Sequence, residues 1–334
     1  MRFGYKASAE QFSPRELLEF GVAAEKAGFD SVFVSDHFQP WRHISGHAPF
    51  SIAWLAALGE RTERVQIGTS VLTPTFRYHP AVVAQAFGTL GCLFPGRVIL
   101  GVGTGEAMNE TAVQSIDWPG FRERFQRLRE AVDLIRCLWS EERVTFEGDF
   151  YRTRAVTVYD RPDTAIPVYV AAGGRTMAKF AGEIADGMIC TSGKGHSLYA
   201  ETLLPGLAEG IGIRGRQAED VERMIEVKVS FDEDSERAVQ DTRFWAPLAL
   251  SPEEKAGIED PAELAALGDA LPIERVASRW IVSSDVEEHI ERISEYVRMG
   301  FNHLVFHSPG TDQKRFLSSY ERIVLPELRR RSAG

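Results

Sequence analysis

Two segments of the sequence gather side chains that could carry out chemistry on a planar ligand. Ser35–Trp41 (SDHFQPW) joins a carboxylate, an imidazole and two aromatic rings, which can set one titrating group and one flat apolar wall against a ligand. Gly101–Glu106 (GVGTGE) ends in a carboxylate and is followed by Asn109, and its glycines allow close backbone approach to a flat molecule. Taken singly, Asp36 could cap a turn and His37 could be an ordinary core histidine.

Three other segments have room for a cofactor or an anion. Ala171–Thr176 (AAGGRT) is a glycine turn that opens a helix, and the free amides of such a turn bind phosphate. Cys190–Gly195 (CTSGKG) places Lys194 between glycines and beside two hydroxyls, although a lysine in such a loop is more often simply solvated. Gly68–Pro74 (GTSVLTP) offers small side chains that let a bulky cofactor lie near the backbone.

Several familiar chemistries are disfavoured by the same residues. Glu106 stands where the last glycine of a G-x-G-x-x-G dinucleotide motif belongs, and the first strand has no such turn after it. His43 and His47 have the spacing of metal ligands, but no further Cys, His or carboxylate cluster completes a site, so we expect no metal. No G-x-S-x-G motif is present, which disfavours acyl transfer on a serine.

The elements that position these segments alternate from end to end between short β-rich runs and longer amphipathic runs, the pattern of a parallel sheet with crossover helices. Eight strands in this rhythm favour a closed (β/α)₈ TIM barrel over an open doubly wound sheet, and barrel enzymes carry their working groups where the strands end. The predicted strands are Arg2–Lys6, Ser31–Ser35, Val65–Leu72, Val98–Val102, Pro167–Ala172, Gly187–Thr191, Ile225–Phe231 and Leu304–His307.

We expect one barrel domain over residues 1–334, with insertions at about 38–48, 106–119, 143–165 and 236–275. Val144–Tyr159 alternates like a hairpin, and Glu236–Arg275 is a helical insertion; both are expected to line or cover the active site at the carboxyl ends of the strands. The other predicted helices are Ser13–Ala27, with a capping box at its start, Pro80–Leu93, Phe121–Trp139, Thr176–Ala185, Val286–Met299 and Lys314–Leu328.

Composition limits the classes of partner. The net charge of −10, without a basic stripe interleaved with aromatics, disfavours nucleic acid. No apolar run is long enough to span a membrane and no secretory signal is visible, so we expect a cytoplasmic protein. Cys92, Cys137 and Cys190 lie far apart beside apolar residues, which predicts buried reduced thiols.

These segments together resemble the F420-dependent glucose-6-phosphate dehydrogenases, within the bacterial-luciferase-like superfamily of barrels. The resemblance runs through the whole chain and departs from the family mainly on helix surfaces and around Gln114–Asp117. The matching stretches are Gly4–Phe12, Ser35–Trp41, Gly68–Tyr78, Gly101–Asn109, Ala171–Gly174, Cys190–Gly195, Arg243–Pro247, Arg279–Val282 and Asn302–His307.

The resemblance implies an oxidoreductase that binds the deazaflavin coenzyme F420. It implies oxidation of glucose 6-phosphate at the anomeric carbon to 6-phosphogluconolactone, with the hydride passed to F420. The implied cofactor contacts are Asp36, His37, Thr73, Thr104, Gly105, Asn109, Gly173, Gly174, Thr176 and Met177, with Ser70 and Val71 joined by a non-prolyl cis peptide behind the ring.

The resemblance also implies a catalytic set and a sugar-phosphate site. The catalytic set is His37, Trp41 and Glu106, with Glu106 as proton acceptor and His37 as donor, or the reverse. The sugar-phosphate site is Thr191, Lys194, Lys255 and Arg279, whose three cations would supply a local positive field for a dianion.

Alternatives stay open at this point. Another sugar 6-phosphate, such as that of fructose or mannose, or a hydroxylipid alcohol could be the substrate, because a phosphate clamp does not sense hydroxyl stereochemistry. An FMN-dependent monooxygenase or a non-catalytic F420 carrier is disfavoured, because neither would need both Glu106 and three converging cations. The apolar stretches Phe50–Leu58 and Val82–Leu93 predict a homodimer.

Overall fold

The computed structural model describes residues 1–332 of the chain. It contains short strands whose paired neighbours all run parallel. The strands are β1 (Arg2–Ala7), β2 (Ser31–Val34), β3 (Gln66–Thr69), β4 (Val98–Val102), β5 (Val168–Ala171), β6 (Gly187–Thr191), β7 (Glu222–Phe231), β8 (Ile281–Ser283) and β9 (His303–His307).

Eight of these strands close into a barrel. β1 to β6 pair in sequence order, β6 pairs with β7, and β9 completes the ring by pairing with both β7 and β1. The predicted (β/α)₈ barrel is therefore confirmed. β8 is an addition that the sequence did not predict: its three residues pair only with Val229–Phe231, at the end of β7 that extends beyond the ring pairings.

The helices cover the outside of the barrel. α1 begins with the predicted capping box between Ser13 and Glu16, and short π-helical and 3₁₀ segments extend several of the others. The helices are α1 (Pro14–Lys26), α2 (Ser51–Arg61), α3 (Pro80–Leu93), α4 (Ala107–Gln114), α5 (Phe121–Ser140), α6 (Arg175–Ile184), α7 (Leu204–Ile213), α8 (Ser235–Gln240), α9 (Pro261–Asp269), α10 (Ile273–Ala277), α11 (Val286–Arg298), α12 (Gln313–Ser319) and α13 (Leu325–Ser332).

Three apolar clusters hold this arrangement together. The largest lies between the strands and the helices, because alternate residues of each strand face outward, as Val32 and Val34 do in β2. A second fills the barrel interior and consists of Phe33, Ile99, Tyr169, Ile189, Met224 and Val305, so the barrel is a packed core rather than a pore. A third sits at the insertion after β7 and consists of Trp41, Met108, Trp245, Leu250, Leu264 and Trp280.

The two segments that break the barrel rhythm go to different places. The hairpin is present, since the amide of Val144 donates to the Val156 carbonyl at 2.7 Å and Val156 donates back at 3.1 Å. It lies along the outside of the barrel, where the Glu130 carboxylate of α5 accepts hydrogen bonds from the amides of residues 149–151. Within the described chain, no residue of 143–165 lines the cavity reported below.

The expectation that the hairpin lines the active site is therefore wrong, and its place in the topology explains why. Helices of a parallel barrel run opposite to the strands, so a segment that follows a helix starts at the end of the barrel away from the strand carboxyl ends. The insertion at 236–275 instead follows β7. It sends Trp245, Leu250 and Lys255 into the cavity wall, as predicted.

Two further findings bear on the class of protein. Among residues 1–332, no helix is long and apolar enough to cross a membrane. All three cysteines are free thiols, but only Cys190 is buried; Cys137 is half-buried and Cys92 is exposed. The prediction of three buried thiols fails at Cys92 because α3 carries apolar residues on its outer face too, with Val82 and Leu93 each more than half exposed.

Candidate active site

A cavity of about 1170 Å³ opens where the strands end. Every residue that the sequence predicted for a site lies on its wall, although these residues come from five separate connections and from helices far apart in sequence. They are Asp36, His37, Trp41, Ser70, Val71, Thr73, Thr104, Gly105, Glu106, Asn109, Gly173, Gly174, Thr176, Met177, Thr191, Lys194, Lys255 and Arg279.

His37 stands between two carboxylates. Its Nε2 lies 3.5 Å from Oε1 of Glu10 and 3.8 Å from Oε2 of Glu106. Its other ring nitrogen, Nδ1, lies 3.3 Å from the Asn109 side-chain amide and 3.2 Å from the Gln39 carbonyl. The ring centroid of Trp41 is 5.6 Å away. An imidazole held this way can exchange a proton with a carboxylate on either side.

The two carboxylates differ in environment. The Glu106 side chain is about half exposed to the cavity, with 49% of its surface accessible, whereas that of Glu10 is only 4% exposed. Glu10 accepts a hydrogen bond of 2.6 Å from the Ser35 hydroxyl. Burial raises the pKa of Glu10, but the charges of His37 and Lys6 and the Ser35 hydrogen bond outweigh it, so the net pKa lies below its usual value. Glu10 is therefore an ionised, buried partner for His37.

Asp36 is braced from behind rather than turned into the cavity. Its carboxylate accepts hydrogen bonds from Ser51 at 2.6 Å, from Arg77 at 2.8 Å and from the Tyr78 hydroxyl at 3.0 Å. Its side chain is only 1% exposed, and Arg77 is shared with buried Glu110. Because the carboxylate oxygens are already occupied, a ligand at this position would meet the backbone of Asp36.

The wall opposite His37 is made of small residues and backbone. The Ser70–Val71 peptide is cis, as the resemblance implied. Its carbonyl on Ser70 accepts a 2.7 Å hydrogen bond from the Lys6 ammonium. Gly105 has a φ of +84°, and a side chain there would press on Thr73 and Trp118. This surface is flat and suits a planar ring system.

The amino end of α6 forms another part of the wall. Gly174 is its N-cap and gives no side-chain hydrogen bond to the first-turn amides, which leaves them free to bind an anion. A Cβ on Gly173 or Gly174 would meet no protein atom within 4 Å, and both residues face the cavity. Thr176 and Met177 lie in the same first turn.

The remaining side of the cavity is cationic. Lys194, Lys255 and Arg279 line it, and burial lowers the pKa of each of them. Gly193, with a φ of +76°, keeps the chain close to the Arg279 carbonyl and brings Lys194 beside Arg279. The Lys255 ammonium lies 5.1 Å from the centre of the Trp41 ring, a cation–π contact. Thr191 ends β6 next to this group.

Sequence reasoning missed the charged residues inside β7 and β9. Lys228 lines the cavity and is buried, with Nζ 3.6 Å from Oε1 of Glu226. Burial lowers the pKa of Lys228 to about 8; Glu226 opposes that shift, and Arg279 and Lys194 add to it. Glu226 also lies 3.3 Å from the Lys6 ammonium and 3.4 Å from Nδ1 of His307.

A signal for these residues was present in the sequence. Glu226 and Lys228 interrupt an otherwise apolar strand at alternate positions, so both must face the barrel interior. Glu10 follows β1 by the same strand-end rule that found the other residues. Altogether the cavity holds a proton-exchanging imidazole between carboxylates, a flat wall, free helix amides and a group of buried cations. That set suits redox chemistry on an anionic substrate beside a planar cofactor.

Comparison with known proteins places this arrangement in a family. Residues 1–303 match the family model of luciferase-like monooxygenases. The chain belongs to the luciferase-like monooxygenase family. Among the curated relatives of this luciferase-like chain, proteins named F420-dependent glucose-6-phosphate dehydrogenase recur, and the resemblance predicted from the sequence is thereby confirmed.

Two of these relatives illustrate the closeness of the match. The protein from Mycolicibacterium fortuitum is 60% identical over 331 residues, which cover 99% of this luciferase-like chain and 98% of the relative. The one from Intrasporangium calvum is 62% identical over 331 residues, covering 98% and 99% of the two chains.

Solved structures agree with the family. A structure described as an F420-dependent secondary alcohol dehydrogenase in complex with an F420–acetone adduct matches with a TM-score of 0.92 at 33% identity, over 98% of both chains. A coenzyme F420-dependent tetrahydromethanopterin reductase from Methanopyrus kandleri matches with a TM-score of 0.82 over 98% and 99% of the two chains. At 20% identity, this second match shows the shared luciferase-like fold alone.

Proposed function

We propose that this protein is an F420-dependent glucose-6-phosphate dehydrogenase. It oxidises the anomeric carbon of glucose 6-phosphate to 6-phosphogluconolactone and passes the hydride to F420. The observation that carries the proposal is near-complete coverage by relatives of that name at about 60% identity. The cavity supports it, because a proton-exchanging group and a cationic group line the same space.

The cavity fits the proposed cofactor. F420 is a deazaflavin with a phosphodiester-bearing side chain, and it supplies a hydride acceptor when bound. The flat wall formed by Ser70–Val71, Thr73 and Gly105 suits the ring, and the open space over Gly173 and Gly174 leads to the free amides of α6. In this placement Thr104, Asn109, Thr176 and Met177 complete the cofactor contacts, with Asp36 contributing its backbone.

The proton of the anomeric hydroxyl needs an acceptor inside the cavity. Glu106 is the exposed carboxylate of the site, so in our proposal it accepts this proton. His37 then carries a proton at Nε2, shared between Glu106 and the buried Glu10, and presents it toward the cofactor side of the cavity. Trp41 packs on His37 and restricts where the reacting carbon can lie.

The sugar phosphate is held by the cationic side in this proposal. Lys194, Lys255 and Arg279 are buried cations that carry no carboxylate within 4 Å among the described residues. Desolvated cations without partners are costly, and a bound dianion removes that cost. Thr191 adds a hydroxyl, and Lys228 adds a further charge beneath them.

Two alternatives are separated by this cationic side. A secondary alcohol dehydrogenase, the description of the 33% identical structure, acts on an uncharged substrate and has no use for four buried cations. An oxygen-using flavoprotein with an apolar substrate has no use for them either. Another sugar 6-phosphate would satisfy the same cations, so the choice among sugars depends on the hydroxyl contacts near His37 and Trp41.

The test is a panel assay that follows loss of F420 absorbance. Glucose 6-phosphate should support turnover, free glucose should not, and fructose and mannose 6-phosphates should be slower. NADP and FMN, offered in place of F420, should bind weakly and give no turnover. Tight NADP binding with turnover, or equal rates on glucose and glucose 6-phosphate, would contradict the proposal.

We also propose that the protein works as a homodimer. Phe50 is 52% exposed, Val82 53% and Leu93 59%, on neighbouring parts of the α2 and α3 surface, and a second copy would cover them. Light scattering at micromolar concentration should give twice the chain mass. A monomer mass would remove this part of the proposal.

A further inference from the structure

Arg124 stands at the rim of the cavity and is held there by contacts on two sides. Its Nε–H donates to the Pro119 carbonyl at 3.0 Å, and its guanidinium carbon lies 4.6 Å from the centre of the Trp118 ring. It lines the cavity together with Phe121, the first residue of α5. The stem of this arginine is therefore fixed, while the terminal nitrogens remain available.

The charge of Arg124 is not balanced by the protein. Among the described residues no carboxylate lies within 4 Å of it, whereas on the same helix Arg127 pairs with Glu123 at 2.7 Å and Arg136 pairs with Asp186 at 3.2 Å. Burial, the only cause, lowers the pKa of Arg124 from its ordinary value, although the group stays charged at any physiological pH. A half-buried, fixed and unpaired guanidinium is suited to bind an anion.

The neighbours of Arg124 indicate which part of the cavity it faces. Trp118 lies against Gly105, on the wall proposed for the cofactor ring. Phe125, one residue after Arg124, packs on Phe180 of α6 with ring centroids 5.2 Å apart. Arg124 thus lies between the Gly105 loop and the amino end of α6, on the outer rim and away from the group of cations proposed for the substrate.

We propose that Arg124 binds a carboxylate of the oligoglutamate tail of F420. The inference rests on the proposed function, because it requires F420 as the cofactor. With the phosphodiester at the free amides of α6, the tail leaves the cavity over this rim. The planar fork of a guanidinium pairs with a carboxylate through two parallel hydrogen bonds.

A second arginine on the rim makes the assignment more specific. Arg175 also lines the cavity, but its guanidinium is already paired with Glu209 at 2.8 Å. A tail carboxylate at Arg175 would have to compete with that glutamate. Arg124 offers the same chemistry without a competitor, so we assign the first tail contact to Arg124 rather than to Arg175.

The experiment is a fluorescence titration of F420 in two forms, one with the oligoglutamate tail and one without any glutamate. Wild type, Arg124→Gln and Arg122→Gln are compared, since Arg122 is an exposed arginine on the same turn that does not line the cavity. In wild type the tailed form should bind more tightly. Arg124→Gln should raise the Kd of the tailed form roughly three- to tenfold and leave that of the tailless form unchanged.

Two further readouts separate charge from packing. Raising the salt concentration should weaken tailed F420 more in wild type than in Arg124→Gln. Arg124→Lys keeps the charge but loses the fork, and it should recover part of the tail preference. Arg122→Gln should behave as wild type in both titrations.

Several results would overturn the inference. An unchanged Kd for both forms in Arg124→Gln would do so, and so would an equal loss for both, which would assign Arg124 to the ring, the phosphodiester or the packing of Trp118. Equal affinity of wild type for both forms would overturn it while leaving the proposed function intact. Failure of the proposed function would show separately, as wild type that binds neither form of F420.

Discussion

The two sides of the cavity handle charge in opposite ways. On the proton-exchanging side, His37 lies between Glu10 and Glu106, so each charge has a partner within 4 Å. On the cationic side, Lys194, Lys255 and Arg279 crowd together, and Glu226 reaches only Lys228 at 3.6 Å. The first side is complete without a ligand, whereas the second is completed by one. Changes on the first side should therefore affect rate, and changes on the second should affect affinity.

The largest expected effect comes from Glu106→Gln, which keeps the shape of the side chain and removes the proton acceptor. The turnover number should fall by about 10²- to 10⁴-fold. The Kd for F420 should change little, because Glu106 lies on the substrate side of His37. Stopped-flow and fluorescence titration measure the two quantities. Full turnover by this variant would break the comparison on its first side.

The second prediction concerns affinity. Arg279→Ala removes one charge-assisted contact, worth about 1.5 to 3 kcal/mol, so KM for glucose 6-phosphate should rise roughly ten- to hundredfold with a smaller change in kcat. Lys314→Ala, which removes an exposed lysine outside the cavity, is the control and should leave KM alone. If the two variants have the same KM, the phosphate binds elsewhere.

The smallest effect is a pH dependence. With its pKa lowered to about 8, Lys228 is charged below that pH and loses its proton above it. The value of kcat/KM for glucose 6-phosphate should therefore fall about two- to tenfold between roughly pH 7.5 and 9.5, as one cation disappears beside the phosphate. Lys228→Met should abolish this limb while lowering kcat/KM at neutral pH. An unchanged limb in that variant would assign the titration to another group.

The sequence could predict the barrel and much of the site for one physical reason. In a parallel barrel the strand ends meet at one rim, so polar residues that follow different strands become neighbours without any knowledge of packing. Ser35–Trp41, Gly101–Glu106 and Cys190–Gly195 were found by that rule, and all lie on the cavity wall. Their distances and partners could not be found in this way.

What the sequence missed depends on facts that packing alone decides. Glu226 and Lys228 were taken as ordinary members of a strand, because their burial is visible only once β7 is placed in the ring. The hairpin at Val144–Tyr159 was assigned to the wrong place because its pattern says nothing about which end of the barrel it starts from. The three-residue strand Ile281–Ser283 is too short for any periodicity.

The insertion between β7 and β8 has a consequence for how such enzymes diverge. It delivers Lys255, and the helix that ends it leads directly to Arg279, whereas His37 and Glu106 belong to the connections after β2 and β4. On the proposed assignment, substrate choice and hydride chemistry are thus inherited on separate pieces of chain. Natural selection can replace one connection to recruit a different alcohol and leave the redox centre untouched. The 33% identical secondary alcohol dehydrogenase, with the same barrel, is the kind of relative that this modularity would produce.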